Sequence, residues 1–272
     1  EITLAQQLKT QGYKTAAIGK WHIGHNPASF LPTARGFDQY FGLLYSNDMI
    51  PPWVKTEAPL RLWRNQDAIE HVTDQSLLTE RYTNEAIQFI RNSANNPFFL
   101  YLPYAMPHLP VSAPASRRGR SRAGLYGDTI ETLDWSAGQI LAELKARNLD
   151  SNTMVVFASD NGPWHDLPPR MLANGVEPWQ TGSKSLFRGA KGTTWEGGHR
   201  VPFITRWPGT IPAGRTSPEM VSTLDLFPTF SFASGAPLPK DRTYDGHNLL
   251  PLLENKTQTS PRTSYHYFLG PE

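Results

Sequence analysis

Three short apolar runs, separated by amphipathic segments, constrain the fold of this chain more than any other feature. They occupy residues 15–18, 97–102 and 154–158, and each is continuous in its apolar character, as in strands that are buried on both faces. Residues 73–92 and 128–147 lie between them and repeat apolar side chains at helical spacing. This order predicts an α/β protein with a mostly parallel sheet sandwiched by helices.

The flanking segments carry weaker signals. Thr3 and Gln6 have the spacing of a capping box, and Gly12 is a suitable stop for the short helix that they would begin. Residues 27–72 are rich in proline, tryptophan and asparagine, which predicts long excursions over the strand ends. Residues 202–207 are a candidate for a further strand.

The composition is that of a globular protein and excludes several other classes. Hydrophobic residues make up 39% of the 272 residues, enough for a substantial core. The 26 lysines and arginines against 24 acidic residues leave a formal charge of +2, too small to indicate a nucleic-acid partner. The chain has no cysteine and no apolar run of about 18 residues, which excludes disulfides, thiolate metal sites and a membrane-spanning helix within it.

Polar residues follow each of the three predicted strands. Lys20 and His22 follow the first, His108 follows the second, and Asp160 and Asn161 follow the third. Ligands of open parallel sheets bind outside the carboxyl ends of the strands, where the loops converge. A carboxylate beside a carboxamide suits a hard cation such as calcium or magnesium, whereas lysine and histidine suit an oxyanion and proton transfer.

A glycine-rich stretch, residues 189–198, adds a further cation, Lys191. Backbone without side chains can approach an anion closely, so this loop is a candidate anion site. Each feature alone also has a structural explanation, as a surface pair, an Asx turn, a packed loop or a flexible loop. Their positions after separate strands favour one shared site.

Seven ordered blocks cover nearly the whole chain, at residues 12–24, 35–42, 97–108, 126–136, 159–163, 191–202 and 225–229. In these blocks the chain resembles the sulfatase family, in its arylsulfatase A-like branch with the alkaline phosphatase-like fold. The resemblance implies a catalytic α/β domain over residues 1–235, incomplete at its N-terminus. Residues 236–272 would then connect into a smaller, truncated C-terminal subdomain, consistent with their proline, lysine and asparagine content.

The resemblance also implies roles for the polar residues at the strand ends. Lys20 and Lys191 would bind the sulfate oxygens, with Lys191 and His108 near the leaving oxygen, and His22 would hydrogen-bond the nucleophile. Sulfate ester cleavage needs charge stabilisation and a proton for the leaving alkoxide, which these residue types supply.

Two cofactors follow from the same resemblance. Asp160 and Asn161 would be two of four protein ligands of a calcium ion. The nucleophile of the family is a formylglycine, made by a formylglycine-generating enzyme from Cys or Ser in the motif Cys/Ser-x-Pro/Ala-x-Arg. Ser112 comes close to that motif, but Ser116 stands in place of its arginine. We therefore expect the nucleophile in a missing upstream segment, and this fragment alone to be inactive.

The leading hypothesis is thus a secreted or periplasmic sulfuric ester hydrolase that acts on a sulfated small molecule or a sulfated glycan. One alternative is a phosphatase or phosphonate hydrolase of the same fold. Another is an inert relative that binds sulfated glycans, which the absent motif favours. Four tryptophans are candidates for sugar stacking or for the core: Trp53, Trp63, Trp164 and Trp179.

Overall fold

The computed structural model describes residues 1–93 and 95–267, without the side chains of residues 173–175. Its α-helices are α1 (Leu4–Lys9), α2 (Leu78–Ser93), α3 (Gly124–Ala146), α4 (Glu196–His199), α5 (Leu226–Ser234) and α6 (Leu250–Leu253). Its strands are β1 (Lys14–Lys20), β2 (Gln39–Leu43), β3 (Leu62–Arg64), β4 (Asp67–Glu70), β5 (Phe98–Tyr101), β6 (Val155–Ala158) and β7 (Phe203–Arg206).

The main sheet has five strands in the order β4-β3-β2-β1-β5. β1 lies in its centre and pairs in parallel with both neighbours, with Ala16 opposite Gln39 of β2 and opposite Leu100 of β5. β3 and β4 form an antiparallel hairpin at the far edge. The predicted α/β class with helices on the sheet is confirmed, and the sheet itself is mixed.

Successive side chains of β1 enter two different apolar clusters, which shows that the strand is covered on both faces. Ala16 and Ile18 pack with Tyr82 and other residues of α2. Ala17 points the other way, into a cluster with Trp21 and with Ala5 of α1. All three β1 side chains are at most 3% exposed. The continuous apolar run in the sequence is therefore a consequence of this double burial.

The capping box predicted at the start of the chain is confirmed. The backbone N–H of Gln6 donates to the Thr3 hydroxyl at 3.1 Å, and the Thr3 N–H donates to the Gln6 side chain at 2.9 Å. α1 ends before Gly12, whose φ of 77° is readily accessible only to glycine. α3 begins at Gly124, four residues before the predicted start, because the loop ahead of it is held by Asp128, whose carboxylate accepts three backbone N–H groups.

Two sequence-based expectations about strands are wrong in part. Residues 27–72 hold three strands, β2 to β4, and not only excursions over the strand ends. Residues 154–158 do form a strand, β6, but it pairs with β7 in an antiparallel ribbon and not with the parallel strands. The ribbon is also less buried than expected, since Phe157 is 42% exposed and Ile204 is 61% exposed.

Two glycines allow the backbones at the end of β1 to approach closely. A Cβ atom on Gly42 of β2 would overlap the carbonyl oxygen of Gly19, and a Cβ on Gly19 would overlap the carbonyl oxygen of Pro103. The N–H of Lys20 donates to the same Pro103 oxygen at 2.7 Å. This close approach fixes the backbone from which Lys20 extends.

The segment after α5 is tied to the rest of the chain by a buried ion pair. The Arg262 guanidinium donates to both oxygens of Asp225, whose side chain is fully buried. The same carboxylate accepts the backbone N–H groups of Ser222 and His247, each at 2.8 Å. The domain boundary near residue 235 stays a prediction, and residues 268–272 of the predicted subdomain lie outside the described residues.

The helices in residues 1–93 and 95–267 are all too short or too polar to cross a lipid bilayer.

Removal of the buried arginine is expected to destabilise the fold strongly. Arg262→Met leaves the Asp225 carboxylate buried without its cation, which costs about 3–5 kcal/mol in the free energy of unfolding. The matched control is Arg242→Met, because Arg242 pairs with Asp241 at the surface and such pairs contribute at most about 1 kcal/mol. Chemical denaturation of both variants measures the difference, and equal losses would contradict this account.

Candidate functional site

Lys20 and His22 stand where β1 leaves the sheet. The strand ladder continues beyond Lys20, as the N–H groups of Trp21 and His22 donate to the carbonyl groups of Leu43 and Leu44 at 2.8 and 3.2 Å. His22 has a φ of 50°, a left-handed conformation that costs a non-glycine residue about 1–2 kcal/mol. Its ring lies edge-on against Tyr45, with the centroids 4.8 Å apart. The contacts around this turn must therefore stabilise the left-handed backbone conformation of His22.

His108 lies in the proline-rich loop after β5, and its ring orientation is fixed by the backbone. Its Nδ1 lies 2.7 Å from the carbonyl oxygen of Leu109. A carbonyl oxygen only accepts, so Nδ1 carries the proton and Nε2 is the atom left to exchange one with a ligand. The ring also lies beside Trp164, at a centroid distance of 6.4 Å.

Asp160 and Asn161 form a tight turn after β6. One Asp160 oxygen accepts the N–H of Asn161 at 2.9 Å, and the Asn161 amide donates to the carbonyl oxygen of Gly162 at 2.9 Å. These bonds involve the amide nitrogen of Asn161 and one carboxylate oxygen of Asp160. The amide oxygen of Asn161 and the second oxygen of Asp160 are therefore available as ligands for a cation.

The glycine-rich loop is joined to this turn by backbone contacts. The N–H of Gly162 donates to the carbonyl oxygen of Gly198 at 2.9 Å, and the N–H of Lys191 donates to that of Pro163 at 3.0 Å. A Cβ on Gly162 would overlap the Gly197 carbonyl oxygen, so only glycine permits this approach. Lys191 extends its ammonium group to 5.5 Å from the Trp164 ring. The Asp160 turn and Lys191 therefore form one unit.

The charges of the strand-end residues act on one another. Burial lowers the pKa of Lys20, an effect that Asp160 opposes and Lys191 reinforces. The pKa of His22 is lowered by burial and then by Lys20. The pKa of His108 is lowered by burial and then by Lys191. The structure thus brings together the charged residues that the sequence singled out, with Asn161 beside Asp160 in the chain.

A carboxylate of the site was missed by the sequence reasoning. Asp48 follows β2 and is 3% exposed, and its negative charge opposes the lowering of the pKa values of Lys20, His22 and His108. Within the described part of the chain, three buried atoms of its segment have no hydrogen-bond partner: Ser46 Oγ, Asn47 Oδ1 and Asp48 Oδ1. The signal was present, because polar residues follow this strand too, but the strand itself had not been predicted.

Comparisons with known proteins give the family of the chain. The sequence model of the family described as Sulfatase matches residues 1–236. The chain belongs to the sulfatase family.

Two curated sulfatases and one solved structure illustrate the similarity. Arylsulfatase G of Mus musculus is 38% identical over 98% of this chain and 55% of its own length. N-acetylgalactosamine-6-sulfatase of Canis lupus familiaris is 38% identical over 98% of this chain and 51% of its own length. The crystal structure of PsFucS1 sulfatase from Pseudoalteromonas sp. has a TM-score of 0.82 and 27% identity over 96% of this chain and 56% of that chain. The chain thus spans about half the length of the sulfatases it matches.

The residues present fit a calcium ion in chemistry but not in number. Asp160 and Asn161 offer oxygen atoms, which calcium prefers, but it usually takes about 6 to 8 of them. Within residues 1–93 and 95–267, no group of three His, Asp or Glu side chains is placed to hold a metal ion. These two residues would supply part of a calcium site, and no step below depends on the ion.

Calcium is therefore expected to bind this 272-residue chain weakly, with a Kd above about 1 mM, since two donor side chains leave most of its coordination to water. Isothermal titration of the chain with calcium chloride measures it, with Asp160→Ala as the control for binding at this turn. Micromolar binding that survives this substitution would show that other residues hold the ion.

The two charges that flank His108 are expected to shift its pKa in opposite directions. Lys191→Gln removes a cation that disfavours the imidazolium, so the pKa of His108 rises, whereas Asp48→Asn removes an anion and lowers it. Proton NMR titration of the imidazole C–H signals measures both. Lys14→Gln, at the opposite end of β1 from Lys20, is the control that leaves the pKa unchanged. Shifts of the same sign would contradict this electrostatic arrangement.

Proposed function

We propose that this chain forms the anion-binding and proton-donating part of a sulfuric ester hydrolase. The observation that carries the proposal is the meeting of two lysines and two histidines with an Asp–Asn pair at one edge of the fold, where their charges act on one another. Such a cluster of cations is unfavourable in itself and becomes favourable when an oxyanion enters.

Lys20 and Lys191 are proposed to bind the oxygen atoms of the sulfate group. They come from different parts of the fold, one from the end of β1 and one from the glycine-rich loop. An anion that binds between them is therefore contacted from two sides. Lysine is suited to this role because its three N–H donors are compact and carry a full charge. The charge that spreads over the sulfate oxygens in the transition state is stabilised by the same contacts.

His108 is proposed to give the proton that the departing alcohol needs. Its Nδ1–H is held by the Leu109 carbonyl, which leaves Nε2 as the atom that carries the transferable proton. Because burial and Lys191 lower its pKa, the protonated ring is a stronger acid than an ordinary histidine. His22, on the neighbouring turn, is proposed to hydrogen-bond the nucleophile.

The nucleophile and the metal are proposed from the family. Formylglycine would supply the oxygen that attacks sulfur, and calcium would add positive charge at the sulfate group. No stretch of the sequence has the form Cys/Ser-x-Pro/Ala-x-Arg, so the proposal assigns the nucleophile to residues beyond these 272, matured by a formylglycine-generating enzyme. We accordingly propose that these 272 residues alone do not turn over sulfate esters.

The substrate is proposed to be a sulfated sugar or another small sulfate ester, reached in a secreted or periplasmic setting. One of the relatives is named for a sulfated amino sugar, which supports a sugar as the substrate of this protein. A phosphatase of the same fold is the competing proposal, but the Lys20–Trp21–His22 block and Lys191 resemble the sulfate-cleaving branch.

The test uses the protein from the complete reading frame, made with a formylglycine-generating enzyme and assayed on 4-nitrophenyl sulfate and 4-nitrophenyl phosphate. Lys20→Ala is expected to lower kcat by about 100-fold or more, since it removes a cation from the transition state. Lys14→Ala is the matched control, because Lys14 lies exposed at the other end of the same strand. Faster hydrolysis of the phosphate would favour the phosphatase. Equal effects of the two substitutions would contradict the role of Lys20, and a protein with no turnover of either ester would favour the inert relative.

A further inference from the structure

A cavity of about 460 Å³ opens beside the site, a volume typical of pockets that hold a small ligand. Its walls combine apolar side chains with two cations, and they are Met49, Pro52, Trp53, Val54, Lys55 and Arg170. None of these residues was assigned a role in the chemistry above.

The cavity adjoins the segment of the site that carries Asp48. Met49 directly follows Asp48, whose charge acts on Lys20 and His108. Arg170 reaches back to the same carboxylate, with Nη1 3.9 Å from Asp48 Oδ2. The cavity and the candidate site therefore lie on either side of Asp48.

One apolar cluster connects the cavity with the candidate site. Trp53 of the cavity and Trp164 of the site both pack against a core that includes Leu109 and Met171. Trp164 in turn lies beside the His108 ring and the Lys191 ammonium group. Trp53 in the cavity wall and Trp164 beside His108 thus belong to one packed cluster, which connects the cavity to the candidate site.

The orientation of Arg170 leaves part of its guanidinium for a ligand. Nη1 donates to the Trp53 carbonyl at 3.0 Å and contacts Met171 Sδ at 3.2 Å, and it is also the atom nearest Asp48. As far as the described residues extend, these contacts fix the planar group through one nitrogen and leave Nε and Nη2 to meet an anion, with 44% of the side chain exposed. Lys55, also exposed, adds a second cation to the cavity wall.

We propose that this cavity binds the sugar residue next to the sulfated one, and that Arg170 and Lys55 select a neighbour that carries a carboxylate or a second sulfate. This inference rests on the proposed function. The apolar walls suit the C–H face of a sugar ring, and the two cations match an anionic substituent. A wholly apolar alcohol would offer no anion to Lys55 or to the Nε and Nη2 groups of Arg170, so the acidic sugar is the better match.

The test compares two disaccharides that differ in one group. Both carry a 6-sulfated hexosamine, joined in one to glucuronate and in the other to glucose. The measured quantities are the ratio of kcat/KM and the ratio of Kd for the pair, in the complete protein and in a Lys55→Gln/Arg170→Gln double variant. We expect the complete protein to prefer the glucuronate compound by about tenfold or more, and the double variant to lose that preference.

The matched control replaces another lysine and arginine pair. Lys145→Gln/Arg147→Gln alters the C-terminal end of α3, whereas Leu125 near its N-terminal end packs in the cluster below the cavity. This control should keep the preference. The use of ratios separates selection from a general loss of activity or folding.

Three outcomes decide between the alternatives. Equal ratios in the complete protein and the double variant, or tighter binding of the glucose compound, would overturn the proposal. Stronger preference for 4-nitrophenyl sulfate than for either sugar would assign the cavity to apolar alcohols. If no compound is hydrolysed, the proposed function fails, while the Kd ratio from calorimetry still decides whether the cavity selects an acidic sugar.

Discussion

The parallel pairing of β1 with strands on both sides is the constraint on which the rest of the structure depends. Its alternating side chains reach both apolar clusters, so helices are needed on each face to exclude water. Its last residues are in close contact with the backbone of β2 and of the loop after β5. Gly19 and Gly42 make this close approach of the backbones possible. A strand held in this way has little freedom at its carboxyl end, which restricts the position of the Lys20 backbone.

The site brings positively charged side chains together, and its own carboxylates only partly offset the electrostatic repulsion among them. Lys20 and His22 are both driven toward their neutral forms by burial, and each cation opposes ionisation of the others. Asp48 and Asp160 act in the opposite direction. Repulsion among neighbouring cations is reduced when an oxyanion binds between them. Under the proposed function, these cations bind the sulfate group, and the surrounding walls select among the alcohols.

Sequence reasoning located most of the elements because their signals are local. The capping box at Thr3 and the apolar run at residues 15–18 need only a few neighbouring residues to be recognised. β2 was missed because its five residues include Gly42 and lie in a stretch rich in turn formers, and Asp48 was missed with it. The partner of β6 could not be predicted, since β7 lies some 45 residues further on and nothing local specifies the direction of pairing.

The candidate site could be approached from the sequence only as a set of residues that follow strands, and the roles of these residues stay predictions. Polar residues after buried strands singled out Lys20, His108 and Asp160, because strand ends are where an α/β sheet places its ligands. Their mutual influence could not be obtained in this way, since it depends on how loops far apart in the sequence fold over one another. The proton position on His108 is a further example, as it is set by a single carbonyl group.

The separation of the β6–β7 ribbon from the main sheet gives the site two jaws. Lys20, His22 and His108 stand on one, and the Asp160 turn with Lys191 stands on the other, joined by backbone bonds such as that from Lys191 to Pro163. The described strands of the two sheets share no ladder hydrogen bonds, and packed side chains around Trp164 bridge the jaws. A sulfate ester carries one negative charge, and an ester bound by the lysines of both jaws would connect them, so that ligand binding would also stabilise the arrangement of the two sheets.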